Sequence, residues 1–264
     1  VSNIAGYECH FTSSYYGGLA YVYNTNTIEI NSKYEIFTSQ SYWNAFPRSP
    51  QVLDCDFMGR NYIIINNHFK CCGDGILNVN NTNDEENRRL QAVTHLKQYI
   101  DNNLSVKSVI LLGDLNDEIT DNTANNVFQD LINDNTNYLF TDMQIAQGNS
   151  IDWSYPTWPS HLDHIIISNE LFDDYYNFNS LISVIRIDDY VGSWSNYENN
   201  ISDHRPIGLK LDCGALSYTP ETTDKEQRVV KVLDILGRDV LEKKSGLVFK
   251  LYDDGKVEKR IIIK

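Results

Sequence analysis

Val109-Ile110-Leu111-Leu112-Gly113-Asp114-Leu115-Asn116-Asp117 decides how the chain is to be read. Four consecutive apolar residues closed by a glycine make a run of strand length, the pattern of a strand covered on both faces. The run leads directly into a carboxylate and an amide, so Asp114 and Asn116 stand just past its carboxyl end. Tyr62-Ile63-Ile64-Ile65 repeats the arrangement and leads to Asn67-His68-Phe69-Lys70. Two further segments reverse it. Asp163 comes immediately before His164-Ile165-Ile166-Ile167, and Asp203-His204 comes before Ile207-Gly208-Leu209-Lys210-Leu211. In a mixed sheet the start of one strand lies beside the end of an antiparallel neighbour. All four polar motifs are therefore expected along one rim of one sheet.

Such a rim suits chemistry on a phosphodiester. A divalent cation needs hard oxygen ligands to sit on a phosphoryl oxygen and offset developing charge, and Asp114 and Asp203 are the candidates. A water nucleophile needs an imidazole to take its proton, and that imidazole needs a carboxylate to fix its tautomer. His204 with Asp163 makes such a pair. Neutral donors aimed at the non-bridging oxygens supply electrostatic stabilisation, a task that suits Asn116 and His68.

These motifs resemble those of the endonuclease/exonuclease/phosphatase superfamily, which contains the DNase I-like nucleases, sphingomyelinases and inositol-phosphate phosphatases. The resemblance places Asp114 and Asn116 at the water-orienting Gly-Asp-x-Asn, and Asp163 at the carboxylate of Leu-Asp-x-Ile that supports the histidine. It reads Asp203 as a metal ligand and His204 as the essential histidine of the closing Ser-Asp-His, with His68 at a phosphate-contacting position. The similarity covers about Gly17 to Leu211, and Asn66–Gly75, Gly113–Thr120 and Trp153–Ser168 look closest to a secreted bacterial subgroup. It implies a DNase I-like α/β sandwich of two packed mixed β-sheets flanked by helices. It also implies a Mg2+-dependent phosphoester hydrolase, with Mn2+ or Ca2+ as other ions, acting on nucleic acid, a phospholipid head group or a small phosphoester. A secreted, non-catalytic binding module on the same scaffold is the competing reading.

The chain departs from the family at its start. Members open with a strand bearing a metal-site Asn and a later strand ending in Gln-x-Glu, whose Glu is the main metal carboxylate. Here Gly17–Tyr23 already resembles the strand that follows, and Glu8, Glu29 and Glu35 have no Gln two residues earlier. The expectation is an N-terminally incomplete domain that binds metal poorly, with its activity as written left open.

A formal charge of −14 over 264 residues argues against the broad basic face of a tight nucleic-acid binder. The 41% hydrophobic content is ordinary for a globular chain. Five cysteines, Cys9, Cys55, Cys71, Cys72 and Cys213, form no zinc pattern. Either one or two disulfides join some of them, or they are buried free thiols. No apolar run approaches the ~20 residues of a membrane span.

Thr82–Leu104 reads as a helix, with a Thr82-x-x-Glu85 capping box and apolar Leu90, Val93, Leu96, Ile100 and Leu104 on one face. Its Arg88-Arg89 pair is expected on a solvated face. A shorter helix is expected over Ala124–Ile132, and a hairpin from Leu53–Phe57 and Asn61–Asn67. Trp153, Tyr155 and Trp158 form an aromatic loop that either lines a groove or packs beneath it. His95, His161 and His164 receive no catalytic role, the last two shaping the loop around Asp163.

Three segments follow: a main domain over 1–214, a polar linker over 215–228 and a small all-β extension over 229–264. Asp234–Arg238 and Asp254–Lys259 of the extension resemble the C-terminal sorting domain of type IX secretion substrates in Bacteroidetes. That resemblance implies engagement of the type IX secretion machinery and a secreted or outer cell-surface location. A monomer is expected.

Overall fold

The structure, a computed structural model, describes residues 4–13, 17–213, 229–234, 238, 240, 246–252 and 257–262. The linker expected over 215–228 lies outside the described residues. In chain order the strands of the first unit are β1 (Tyr7–Phe11), β2 (Ala20–Asn24), β3 (Ile28–Glu35), β4 (Gln51–Phe57), β5 (Arg60–His68), β6 (Val109–Asp114), β7 (Tyr138–Phe140), β8 (Asp163–Ser168), β9 (Leu181–Val184) and β10 (Ile207–Lys210). The helices are α1 (Glu85–Asn103), α2 (Gln129–Ile132), α3 (Met143–Ala146), α4 (Phe172–Tyr176), α5 (Ile187–Tyr190) and α6 (Trp194–Asn200).

Six strands form one mixed sheet in the order β3-β4-β5-β6-β8-β7. Only β5 and β6 run parallel, and their crossover carries α1, as parallel neighbours require. The β4–β5 hairpin turns on Met58 and Gly59, both at positive φ (52° and 79°), the backbone of a two-residue turn matched to strand twist.

Each face of this sheet has its own core. Val52, Ile63, Ile65, Val109, Leu111 and Ile166 face Ala92, Val93, Leu96 and Ile100 of α1. Leu53, Cys55, Tyr62 and Ile167 face the other way, against Leu171, Leu209 and Leu211. The fully apolar runs of β5, β6 and β8 follow from this double coverage. The second layer is made, among the described residues, of two antiparallel pairs, β9–β10 and β1–β2, rather than of a second mixed sheet. The Tyr21 hydroxyl of β2 lies within bonding distance of the Gln51 and Ile64 carbonyl oxygens, 2.6 and 2.8 Å away, and accepts the Asn66 amide at 3.0 Å.

Helix α1 begins later than its capping-box signal suggested. Asp84, not Thr82, is the cap, accepting the Asn87 amide at 2.9 Å, because a carboxylate beside the helix N-terminus also meets the positive end of its dipole. The helix expected over Ala124–Ile132 is confined to Gln129–Ile132, since the Asn122 carbonyl and side chain hold the preceding residues in a turn. No described helix is long and apolar enough to cross a membrane.

The chain divides between Leu216 and Ser217. The second unit contains β11 (Val229–Asp234), β12 (Gly246–Tyr252) and β13 (Val257–Ile262), an antiparallel three-stranded sheet in that order.

Candidate active site

Three of the four polar motifs stand side by side at one end of the main sheet. The register sets His68 opposite Asp114 and Asp114 opposite Asp163, a row across β5, β6 and β8. Gly113 makes the row possible. Its φ is 137°, and a Cβ there would lie 1.9 Å from the Asn67 carbonyl oxygen, so a side chain would force β5 and β6 apart just before Asp114.

The fourth motif arrives differently from the sequence expectation. Strand β10 pairs with β9 and not with the main sheet, so His204 descends onto the rim from the second layer. Its Nδ1 lies 2.7 Å from Asp163 Oδ2. The segment is anchored by residues that local patterning left without a role. Tyr197 donates its hydroxyl to the His204 carbonyl at 3.0 Å. Buried Arg205 donates to Asp188 at 2.7 Å and to the Ile151 carbonyl at 2.7 Å. Ser154 accepts the Leu162 and Asp163 amides through its hydroxyl and the Arg205 amide through its carbonyl. The Ser-Asp-His-Arg-Pro motif contained Arg205, but only the packing of α5 beside it supplied a partner.

A cavity of about 610 Å3 is lined by His68, Asp114, Asn116, Asp163, Asp203 and His204, together with Cys71, Cys72 and Tyr155. Tyr155 of the aromatic loop lies 4.8 Å from the His204 ring, tilted by 33°. Trp153 instead donates its indole N–H to the Ile145 carbonyl at 3.1 Å, and Trp158 is exposed. The loop thus both lines the cavity and packs beneath it. Asn116 adopts φ +56°, its amide donating to Asp114 Oδ1 at 3.1 Å and its side chain to the Phe69 carbonyl at 3.4 Å.

The charges follow from burial and crowding. Burial, then the facing Asp163 carboxylate, pushes Asp114 up to about 7. Burial and the positive charges of Arg48 and His204 bring His68 down to about 4. His68 is therefore neutral at neutral pH, and its 3.3 Å approach to Asp114 is not an ion pair. For His204 burial acts downward, but the bond and charge of Asp163, with Asp114 and Asp203 behind them, prevail and raise it to about 9.

Asp114, Asp163 and His204 each present a ligand atom within 4.8 Å of the others. Two facing carboxylates, one of them driven toward protonation by burial and then by the other, fit a nearby divalent cation that would offset their charge. Asp203 lines the same cavity but is exposed and outside this trio. No glutamate is among the described lining residues.

Behind the rim lies a second titratable group. Buried Asp142 takes His161 Nε2 at 2.9 Å and His164 Nδ1 at 2.6 Å, while His164 Nε2 reaches the Asp117 carbonyl at 2.9 Å. Asp142 carried no signal in the sequence; it lies outside every motif. Its burial acts upward, yet the charge of His164 and the bonds from both imidazoles hold it well below the usual carboxylate range. Burial acts downward on His164, and Asp142 raises it. A depressed carboxylate stabilises the fold above its ordinary value of 3.8 and loses that contribution as pH falls below it. A raised imidazole stabilises below 6.5 and loses it as pH rises. Tm should therefore fall on the acid side of about pH 4, and Asp142→Asn should flatten that limb. A variant whose Tm profile runs parallel to wild type across the acid range would refute the assignment.

Arg89 corrects the expectation of a solvated pair. It is buried, with Nε 2.8 Å from Asp117, Nη2 3.1 Å from Glu86, and Nη1 donating to the Lys70 and Cys72 carbonyls at 2.8 and 2.7 Å. Five donors in a planar fork allow one side chain to serve all four acceptors. All five cysteines are free thiols, the second of the two readings, though only Cys55 is buried.

No protein-family model and no curated protein sequence matches the chain. Solved structures do. D. rerio TDP2 complexed with a single-strand DNA product is 14% identical, with 79% of this chain and 78% of that chain covered and a TM-score of 0.52. An endonuclease/exonuclease/phosphatase from Bacteroides vulgatus is 11% identical over 78% and 76%, with a TM-score of 0.51. The fold is DNase I-like. The human Nocturnin catalytic domain with bound sulfate adds a further likeness, 15% identical over 78% and 73%, with a TM-score of 0.50.

Proposed function

We propose that this chain is a metal-assisted phosphoester hydrolase, on the strength of one observation above all. Six polar side chains from four distant segments converge on a single cavity, with His204 and Asp163 joined at 2.7 Å. Asp114 and Asp203 would hold a divalent cation, Mg2+ or alternatively Mn2+ or Ca2+, beside the Asp163 carboxylate that engages His204. When bound, that ion supplies charge neutralisation at the phosphoryl oxygens.

The chain's own residues do the rest. With Nδ1 engaged by Asp163, His204 works through Nε2. Its raised pKa makes it a donor while the surrounding carboxylates are unneutralised, and a base toward water once they are neutralised. Asp114 and Asn116 orient the attacking water. His68, neutral and a single N–H donor, serves a non-bridging oxygen. Tyr155 walls the imidazole on one side.

A neighbouring cavity of about 760 Å3 favours an extended anionic substrate. It shares His68 and Cys71 with the first and is lined by Arg48, Lys70, Arg88 and Trp43. Cations interleaved with an aromatic ring suit successive phosphates and a stacked base. The net charge of −14 argues against tight binding over a broad face, but this local cluster makes a weakly held nucleic-acid strand the substrate class we favour over a phospholipid head group or a small phosphoester. Secretion through the type IX machinery as a monomer, to the medium or the outer cell surface, extends the reading from the C-terminal sequence.

Turnover of bis(p-nitrophenyl) phosphate should require Mg2+ or Mn2+ and fall to background in Asp203→Ala. Rates equal in wild type and variant would end the proposal. Titration of Mn2+ in the absence of substrate separates it from a non-catalytic binding module, which should show no metal affinity dependent on Asp114 or Asp203.

A further inference from the structure

Cys71 and Cys72 are adjacent in sequence, exposed, and both line the cavity that holds His68, Asp114 and His204. Their sulfurs lie 3.0 Å apart, the Cys72 thiol donating to Cys71 Sγ. Lys70 Nζ stands 3.7 Å from the same sulfur. Cys72 sits at φ +71°, a left-handed backbone rarely occupied by a residue with a Cβ. The pair is thus held with its sulfurs already facing.

We propose that Cys71 and Cys72 form a reversible redox site, oxidised by low-molecular-weight disulfides to a vicinal disulfide whose closure reshapes the adjoining cavity. The chemistry balances in two exchanges. The Cys71 thiolate attacks one sulfur of the small disulfide, forming a mixed disulfide and releasing one thiolate, which takes up a proton. Cys72 then loses its proton and attacks Cys71 Sγ, forming the Sγ–Sγ bond and releasing the second thiol. The two cysteines are oxidised by two electrons and the small disulfide is reduced by two.

Several features assign the roles. The hydrogen bond from Cys72 and the charge of Lys70 hold the Cys71 thiol below its ordinary value, which favours it as the attacking thiolate. Consecutive α-carbons are about 3.8 Å apart, less than the roughly 4.4–6.8 Å that most disulfides span. The closed ring is therefore strained and readily reduced, as a labile switch requires rather than a structural staple.

Coupling to the cavity runs through the backbone. Arg89 grips the carbonyls of Lys70 and Cys72 and, with the same guanidinium, Asp117 beside Asn116. Phe69 donates its amide to the Asp114 carbonyl at 3.0 Å. Pulling the Cys71–Cys72 peptide into a ring moves the chain between these two anchors.

The test uses oxidised glutathione on the whole chain. Trypsin releases Cys71–Arg88 as one peptide containing no other cysteine. This peptide should lose the mass of two hydrogens, lose all labelling by iodoacetamide, and recover both with dithiothreitol. Exposed Cys9, without an adjacent thiol, should instead carry one glutathione. The His68 and His204 imidazole resonances should shift on oxidation of wild type and stay in place in Cys71→Ser and Cys72→Ser. A peptide that keeps its thiols or retains glutathione overturns the proposal, as does a vicinal disulfide that leaves both imidazoles unmoved. None of these readouts depends on hydrolase activity.

Discussion

His204→Ala is expected to lower the turnover number by on the order of 10²–10⁴-fold, the usual contribution of a positioned proton-transfer group. Asp163→Asn should approach the same loss, because an amide at 2.7 Å from Nδ1 can present its N–H₂ where a carboxylate accepted, and so reverses the tautomer on which Nε2 depends. The double variant should be no slower than His204→Ala alone, since the aspartate acts through the imidazole and has nothing left to orient. Steady-state kinetics at saturating Mn2+ reads all three. Losses that multiply in the double variant would show that Asp163 acts elsewhere, as a ligand to the cation for example, and would dismantle the dyad.

Arg89→Met is expected to cost about 3–5 kcal/mol, the usual consequence of removing one partner from a buried ion pair. The reason lies in what stays behind. Glu86 and Asp117 are 2% and 7% exposed at their side chains, and without the guanidinium both must neutralise or draw in water. The Lys70 and Cys72 carbonyls lose their donor as well. Arg89→Lys should recover little, because a single ammonium cannot serve four acceptors set around a planar fork. Urea unfolding measures the loss, and a decrease below 1 kcal/mol, within the range of an exposed pair, would mean the cluster relaxes without its cation.

Much of the arrangement of the candidate site was legible in the sequence. Asp114, Asn116, Asp163 and His68 each abut an apolar run, and strand pairing places the ends of such runs together whatever the rest of the chain does. The same local logic failed where the partner lies far away in sequence. Arg89 looked like half of a solvated pair because helix periodicity marks only which residues are apolar, and a buried cation is betrayed by its acceptors. Those acceptors, Asp117 and the 70–72 stretch, come from other segments. Asp142 was silent for the same reason. The capping box erred by choosing between nearby polar residues that all satisfy the pattern, and Asp84 won through geometry.

By itself the sequence determined that β5, β6 and β8 are doubly covered strands, and that their ends carry carboxylates, an amide and imidazoles. Backbone periodicity and chain direction are local properties, so they are written residue by residue. Only the tertiary structure decided that β10 belongs to the second layer and lowers His204 onto Asp163. It alone decided that one guanidinium locks the dithiol segment to the Asp114–Asp117 loop and that His161 and His164 share Asp142. These depend on which distant surfaces bury each other, and a contact between segments far apart in the chain leaves no periodic trace in either one.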